Sequence, residues 1–156
     1  MKKIILIAAM ALGFVVTAVA QPRAIGVRLG NGLEVSYQHT LDNNFIQADL
    51  GLMGFGANIN ANATYNWTLA KPQWTDRGEW SVYAGPGAGL GLGWIEGASY
   101  FNIGVVGMVG LEYTFWFPLQ LSIDLRPQIG CVFAKNVGAA FYSDSWVPAL
   151  SVRYRF

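Results

Sequence analysis

Residues 118–133, PLQLSIDLRPQIGCVF, alternate between two kinds of side chain. Leu119, Leu121, Ile123, Leu125, Ile129, Cys131 and Phe133 share one parity, and Gln120, Ser122, Asp124, Arg126, Gln128 and Gly130 share the other. Successive residues of a strand point to opposite faces, so one face is apolar and the other is polar with charges of both signs. The run exceeds the roughly 5–6 residues of an ordinary strand. It suits the roughly 9–11 residues with which a tilted strand crosses a bilayer. A strand of this length with two such faces predicts a closed sheet whose apolar side meets lipid.

The chain opens MKKIILIAAMALGFVVTAVAQP, in which Lys2 and Lys3 precede an apolar stretch over residues 4–16. Ala18-Val19-Ala20 then supplies a small-x-small cleavage site, so residues 1–20 are expected to be a signal peptide removed before Gln21. Residues 21–156 remain as one domain. No later apolar run is long enough for a membrane helix, although apolar residues make up 53% of the chain. That combination suits an outer-membrane barrel, in which lipid-facing and lumen-facing residues alternate. Without Lys2 and Lys3, the remaining Lys and Arg nearly balance the nine acidic residues, leaving no basic surplus for nucleic acid. The lone Cys131 excludes an internal disulfide and a cysteine-rich metal centre.

The alternation recurs along the chain. Ile25, Val27 and Leu29 face out beside an inward Arg28, and Asn31-Gly32, both tolerant of positive φ, predicts a tight turn. Leu33, Val35 and Tyr37 face out opposite Glu34, Ser36 and Gln38, and after Asp42-Asn43-Asn44, Ile46, Ala48 and Leu50 face out opposite Gln47 and Asp49. Beyond a bend at Gly54-Phe55-Gly56, a column of asparagines (Asn58, Asn60, Asn62, Asn66) lies opposite Ile59, Ala61, Tyr65 and Trp67. Asparagine is poor strand material unless its face looks into a polar lumen. A polar link at 71–78 leads to a fifth strand whose inward parity is Gly85, Gly87, Gly89, Gly91 and Gly93, which leaves room for long side chains from other strands. Pro86 predicts a bulge there. After a loop at 96–98, a sixth strand alternates Ile103, Val105 and Val109 with Asn102, Met108 and Glu112. Residues 134–145 form the longest irregular piece, and the last strand puts Trp146, Leu150, Val152, Tyr154 and Phe156 out, with Ser151, Arg153 and Arg155 in. The fold expected is all-β: an eight-stranded antiparallel up-and-down transmembrane barrel, with both ends on the periplasmic side.

The ending SVRYRF, with aromatics at alternate positions up to Phe156, resembles the C-terminal signal read by the outer-membrane assembly machinery. With AIGVRLG…LEVSYQH, VYAGPGAGLGLG and GLEYTFWFPLQLSIDLRPQ, nearly the whole mature chain looks like the small OmpX- or OmpA-barrel-like outer-membrane proteins. The resemblance implies eight strands, Tyr154 and Phe156 as the assembly signal, a monomer in outer-membrane lipid and no agreed activity. The 71–78 link is longer than that pattern needs.

Few residues suggest chemistry. The only histidine, His39, is three positions from Ser36 and so on the other strand face, unable to act as its base. The acidic residues are scattered without a calcium-loop signature. No enzyme, cofactor or metal site is therefore expected, and a lipid A-modifying activity is the remotest alternative. The constellation that stands out is the charge on the inward parity: Arg28, Glu34, Asp49, Glu79, Glu112, Asp124, Arg126, Arg153 and Arg155. An eight-stranded interior is just wide enough for side chains to fill, so these groups are expected to pair and plug the lumen, with Asp124 bound by Arg126, Arg153 or Arg155. The alternative is that they line a narrow passive channel. The expected role is structural or in surface interaction.

Overall fold

The computed structural model describes residues 22–53, 58–95, 98–134, 138–144 and 147–156. The leader at 1–20, the turn at 54–56, residues 96–97 and Trp146 lie outside these. The described chain forms β1 (Arg23–Leu29), β2 (Gly32–Leu41), β3 (Asn44–Met53), β4 (Asn58–Ala70), β5 (Glu79–Ile95), β6 (Ala98–Thr114), β7 (Leu119–Leu125), β8 (Gln128–Ala134), β9 (Gly138–Asp144) and β10 (Ala149–Arg155). All pairings are antiparallel, and the β1–β10 and β5–β6 ladders close the sheet on itself.

These ten strands make eight staves. β6 holds β7 and β8 in one unbroken register, Val109 opposite Leu125 and Val106 opposite Gln128, while Gly107 N–H donates to the Pro127 carbonyl across the gap (2.9 Å). Pro127 lacks a ladder donor, which interrupts the strand without displacing it. β9 and β10 form one stave with an extra residue between them: Asp144 pairs with Gln128 and Ala149 with Asp124, five residues apart on one side and four on the other. The piece at 134–145 expected to be irregular therefore contains β9, paired along the whole of β8. Its small residues, Gly138, Ala139 and Ala140, carry no polar contrast to reveal the pattern.

One local expectation fails and another holds only in part. Pro86 produces no bulge, because β5 and β6 stay in register from Glu79↔Thr114 to Ile95↔Ala98. A missing N–H drops one ladder bond, whereas a bulge needs an added residue. The shift lies instead between Thr68 and Ala70 on β4. The tight turn expected at Asn31-Gly32 does join β1 to β2, with Gly30 N–H donating to the Gly32 carbonyl (3.1 Å), but neither Asn31 nor Gly32 takes positive φ; Asp42, at 53°, does so in the next turn.

The register also sets the shape. The ladder from Leu29 runs through Leu33, Leu52, Ile59 and Leu92 to Phe101 on β6, and in the other direction through Leu150 and Ile123 to Leu111 on the same strand. One circuit thus advances ten residues along β6. With strands about 4.8 Å apart and about 3.3 Å of rise per residue, eight staves then tilt by about 40° around a backbone cylinder of about 8 Å radius. The rim at the chain ends is nearly level. The opposite rim is oblique: it stops low at β1–β2 and climbs about 20 Å to β5, β6, β8 and β9, because each stave steps the ladder upward.

The faces follow the alternation. Leu29, Val35, Leu50, Ile103, Ile123 and Leu150 are exposed on the outside, while Arg28, Glu34, Asp49, Asp124, Arg126 and Arg153 are buried inside. Cys131 is exposed on the outer face. At the terminal rim the 71–78 link lies against the exterior in a run of ring contacts. Trp74 meets Trp80, Trp80 meets Tyr113, Tyr113 meets Phe115, and Phe115 meets Trp116 and Phe117. Tyr113 Oη donates to the Arg77 carbonyl (2.8 Å), and the Arg77 guanidinium sits over the Trp116 ring.

Candidate functional site

The lumen is the site, and the closed wall decides which inward groups share a level in it. At mid-height five side chains from four staves form an alternating string, Asp124–Arg28–Glu34–Arg126–Asp49. Arg28 Nη2 lies 2.6 Å and Nε 3.0 Å from Asp124 Oδ1, while Nη1 lies 2.6 Å from Glu34 Oε2. Arg126 donates to Glu34 Oε1 (2.5 Å) and Asp49 Oδ2 (2.8 Å). Asn60 also donates to Glu34 Oε1 (2.9 Å), and Gln47 to both oxygens of Asp49. All five side chains are at most 5% exposed. Two guanidiniums against three carboxylates leave the string one charge negative. Arg153, fully buried just below, brings the six groups to neutrality. It donates to Ser36 Oγ and Ser122 Oγ, both at 2.9 Å.

The inward parity thus collects into one cluster with outliers. Asp124 pairs with Arg28 rather than with Arg126, Arg153 or Arg155, because tilt brings β1 and β7 together at that level across β10. Glu112 is buried lower down and accepts from Gln38 (3.0 Å). Glu79 stands at the terminal rim in an exposed pair with Lys71 (2.9 Å). Arg155 lines a polar cavity of about 150 Å³ at that rim, together with Arg23, Thr40, Lys71, Glu79 and Glu112. Tyr154 and Phe156 face outward and are exposed, and Phe156 is tied to the start of β1 by its N–H to the Arg23 carbonyl (2.8 Å).

Between the cavity and the ion pairs lies an apolar cluster unmarked in the sequence pattern. Phe45 packs edge-on against Tyr83 at 5.0 Å, and Met108 joins them. Tyr83 and Arg153 have no exposed surface. The available signal was the inward parity of Tyr83 in a strand whose other inward positions are mostly glycine. Val106 is likewise inward and fully buried.

Toward the oblique rim the glycine face of β5 is overlaid by neighbours. The space of a Cβ at Gly89 is taken by Asn62 Oδ1 and Gln128 Nε2, at Gly91 by Asn102, and at Gly93 by Asn58 and Tyr100. Gln128 donates to Tyr142 Oη (2.6 Å), which donates to Asn102 Oδ1 (3.3 Å), and Tyr100 Oη donates to Asn58 Oδ1.

For acid–base chemistry the arrangement offers little. His39 Nδ1 lies 3.5 Å from Tyr37 Oη, whereas Ser36 Oγ is buried in the lumen as an acceptor for Arg153. Among the described residues no group of three or more His, Cys, Asp and Glu side chains could hold a metal ion.

No protein-family model matches the chain, and no curated protein matches it. Among solved structures it is similar to the crystal structure of a major outer membrane protein from Thermus thermophilus. That likeness has 12% identity and a TM-score of 0.48, and covers 88% of this chain and 100% of the other.

Proposed function

We propose that this chain is an integral outer-membrane barrel, exported by a leader cleaved before Gln21, whose lumen is plugged by its ion pairs and whose role is structural or in surface interaction. The observation that carries the reading is the inversion of the usual protein plan. Leu29 and Leu150 are 52% and 61% exposed while Glu34, Asp124 and Arg153 are at most 2% exposed, around a wall with no open edge at that level. In water such an exterior is a large contiguous apolar surface. In a bilayer it is the required one, and closure leaves the described wall without an unpaired edge strand at that level. Burying six charges along the axis makes sense only where polar groups face one another and not hydrocarbon. The fully buried Tyr83 and Arg153 favour a plug over a conduit.

The test joins location to conductance. The native protein should fractionate with the outer membrane, have an intact mass beginning at Gln21, and migrate differently before and after boiling. Purified barrel in a planar bilayer should show no steady conductance. Recovery in the soluble periplasm would remove the membrane reading, and a steady single-channel current would replace the plug with a channel.

A further inference from the structure

We propose that the oblique rim is a binding site for a neutral oligosaccharide. The site deepens the surface-interaction reading and depends on it only for which side of the membrane the rim faces. Among the described residues, the low hairpin of β1 and β2 leaves the inner face of the high wall uncovered from one side. Toward that opening the wall presents two phenols and three amides: Tyr100, Tyr142, Asn58, Asn102 and Gln128, each only partly buried. None of the described inward side chains of β4, β5, β6, β8 and β9 above Arg126 is basic.

Three features make this a built surface. First, the column Gly89, Gly91 and Gly93 lets the amides and Tyr100 lie flat against the wall, since any Cβ there would occupy their place. Second, Gln128, Tyr142 and Asn102 are joined by hydrogen bonds, as are Tyr100 and Asn58, so the groups are positioned before anything binds. Third, polar capacity is left over at the foot of the wall. Asn62 is 5% exposed with neither amide atom bonded, and Asn60 Oδ1 is also unbonded. Buried polar atoms in native proteins are normally satisfied, so these unbonded amides, which lie beneath the partly exposed groups of the wall, mark a place for a bound water.

The chemistry selects the ligand. An amide donates and accepts at neighbouring atoms, as a pair of adjacent sugar hydroxyls does. A tyrosine offers an apolar ring for the C–H face of a pyranose and a hydroxyl at its edge. The lack of a cation among the described inward residues of this wall gives no reason to hold a phosphate, sulfate or carboxylate.

The experiment uses the full folded barrel in a detergent without a sugar headgroup, because glucosides and maltosides would compete. End-labelled neutral gluco-, galacto- and manno-oligosaccharides are titrated by fluorescence anisotropy, with oligogalacturonate as the anionic comparison. Saturable binding of at least one neutral series is expected, at least tenfold tighter than oligogalacturonate. Tyr142→Ala and Asn102→Ala should each weaken it about tenfold or more, Tyr142→Phe less because the ring remains, and Thr75→Ala in the distant link not at all. The gel shift of each variant separates lost binding from lost folding. If no neutral series binds the folded protein, or if the Tyr142→Ala, Asn102→Ala double variant binds as well as the parent, the site does not exist. Binding in detergent that is absent from intact cells displaying the protein would leave the site standing and overturn the assigned sidedness.

Discussion

Arg28 is the group whose removal most directly measures the ion-pair string. Its side chain is 5% exposed and it alone bridges Asp124 to Glu34. Arg28→Gln keeps most of the volume and removes the charge. Glu34 retains Arg126 at 2.5 Å, but Asp124 loses its only ion-pair partner among the described residues. Stripping one member from a buried pair costs about 3–5 kcal/mol, and the Asp124 side of this string should sit in that range. At a typical urea slope of about 1–3 kcal/mol/M, the midpoint should fall by about 1–5 M. Lys71→Gln is the matched surface change: its pair with Glu79 is about half exposed on both sides and should cost about 0–1 kcal/mol. The double change Arg28→Gln, Asp124→Asn should recover about 1–3 kcal/mol, because it removes the stranded carboxylate as well. The assay is reversible urea unfolding in lipid vesicles, followed by tryptophan emission and by gel migration. If Arg28→Gln and Lys71→Gln shift the midpoint equally, water solvates Asp124 freely and the lumen is not plugged.

The face assignment is tested on β7, where Leu121→Arg or Ile123→Arg should cost about 2–4 kcal/mol near the membrane midplane and fail by the same unfolding assay. Ser122 has the inward parity but cannot serve as a tolerant control, since its Oγ accepts from Arg153; Thr40→Lys, at the terminal cavity, should be tolerated instead. Cys131 should react in lipid vesicles with a membrane-soluble maleimide and resist a charged one, and equal labelling by both would take that face out of the bilayer. Deleting Phe156 should reduce assembled barrel in cells far more than Gln73→Ala, as read by the heat-dependent gel shift, and equal yields would discount the C-terminal signal.

How much of this was legible depended on how local the information was. Inside and outside are written residue by residue, since period two needs only the strand itself. Phe45, Tyr83, Val106 and Met108 obey that parity, yet nothing in it says that an apolar group belongs in the lumen. Pairing across the lumen was not legible. Arg28 meets Asp124, 96 residues away, because one circuit of the wall advances ten residues, a property of all the ladders together. The same reason removed Glu79 and Arg155 from the string: their parity is right and their height is wrong. β9 was missed because small residues on both faces carry no alternation to read.

The oblique rim and the aromatic link at its opposite end fall on the same flank of the barrel. Trp94, Phe101, Phe133 and Phe141 extend the apolar exterior upward on β5, β6, β8 and β9, while Trp74, Trp80 and Trp116 extend it downward beside β5 and β6. The β1–β2 flank has neither extension. A bilayer around such a body cannot keep one thickness; it must swell along one side and thin along the other, at a cost of fractions of a kcal/mol per Å. The protein therefore has a heading in the plane of the membrane as well as a top and a bottom. Neighbours that prefer thick or thin lipid would gather at different compass points around it.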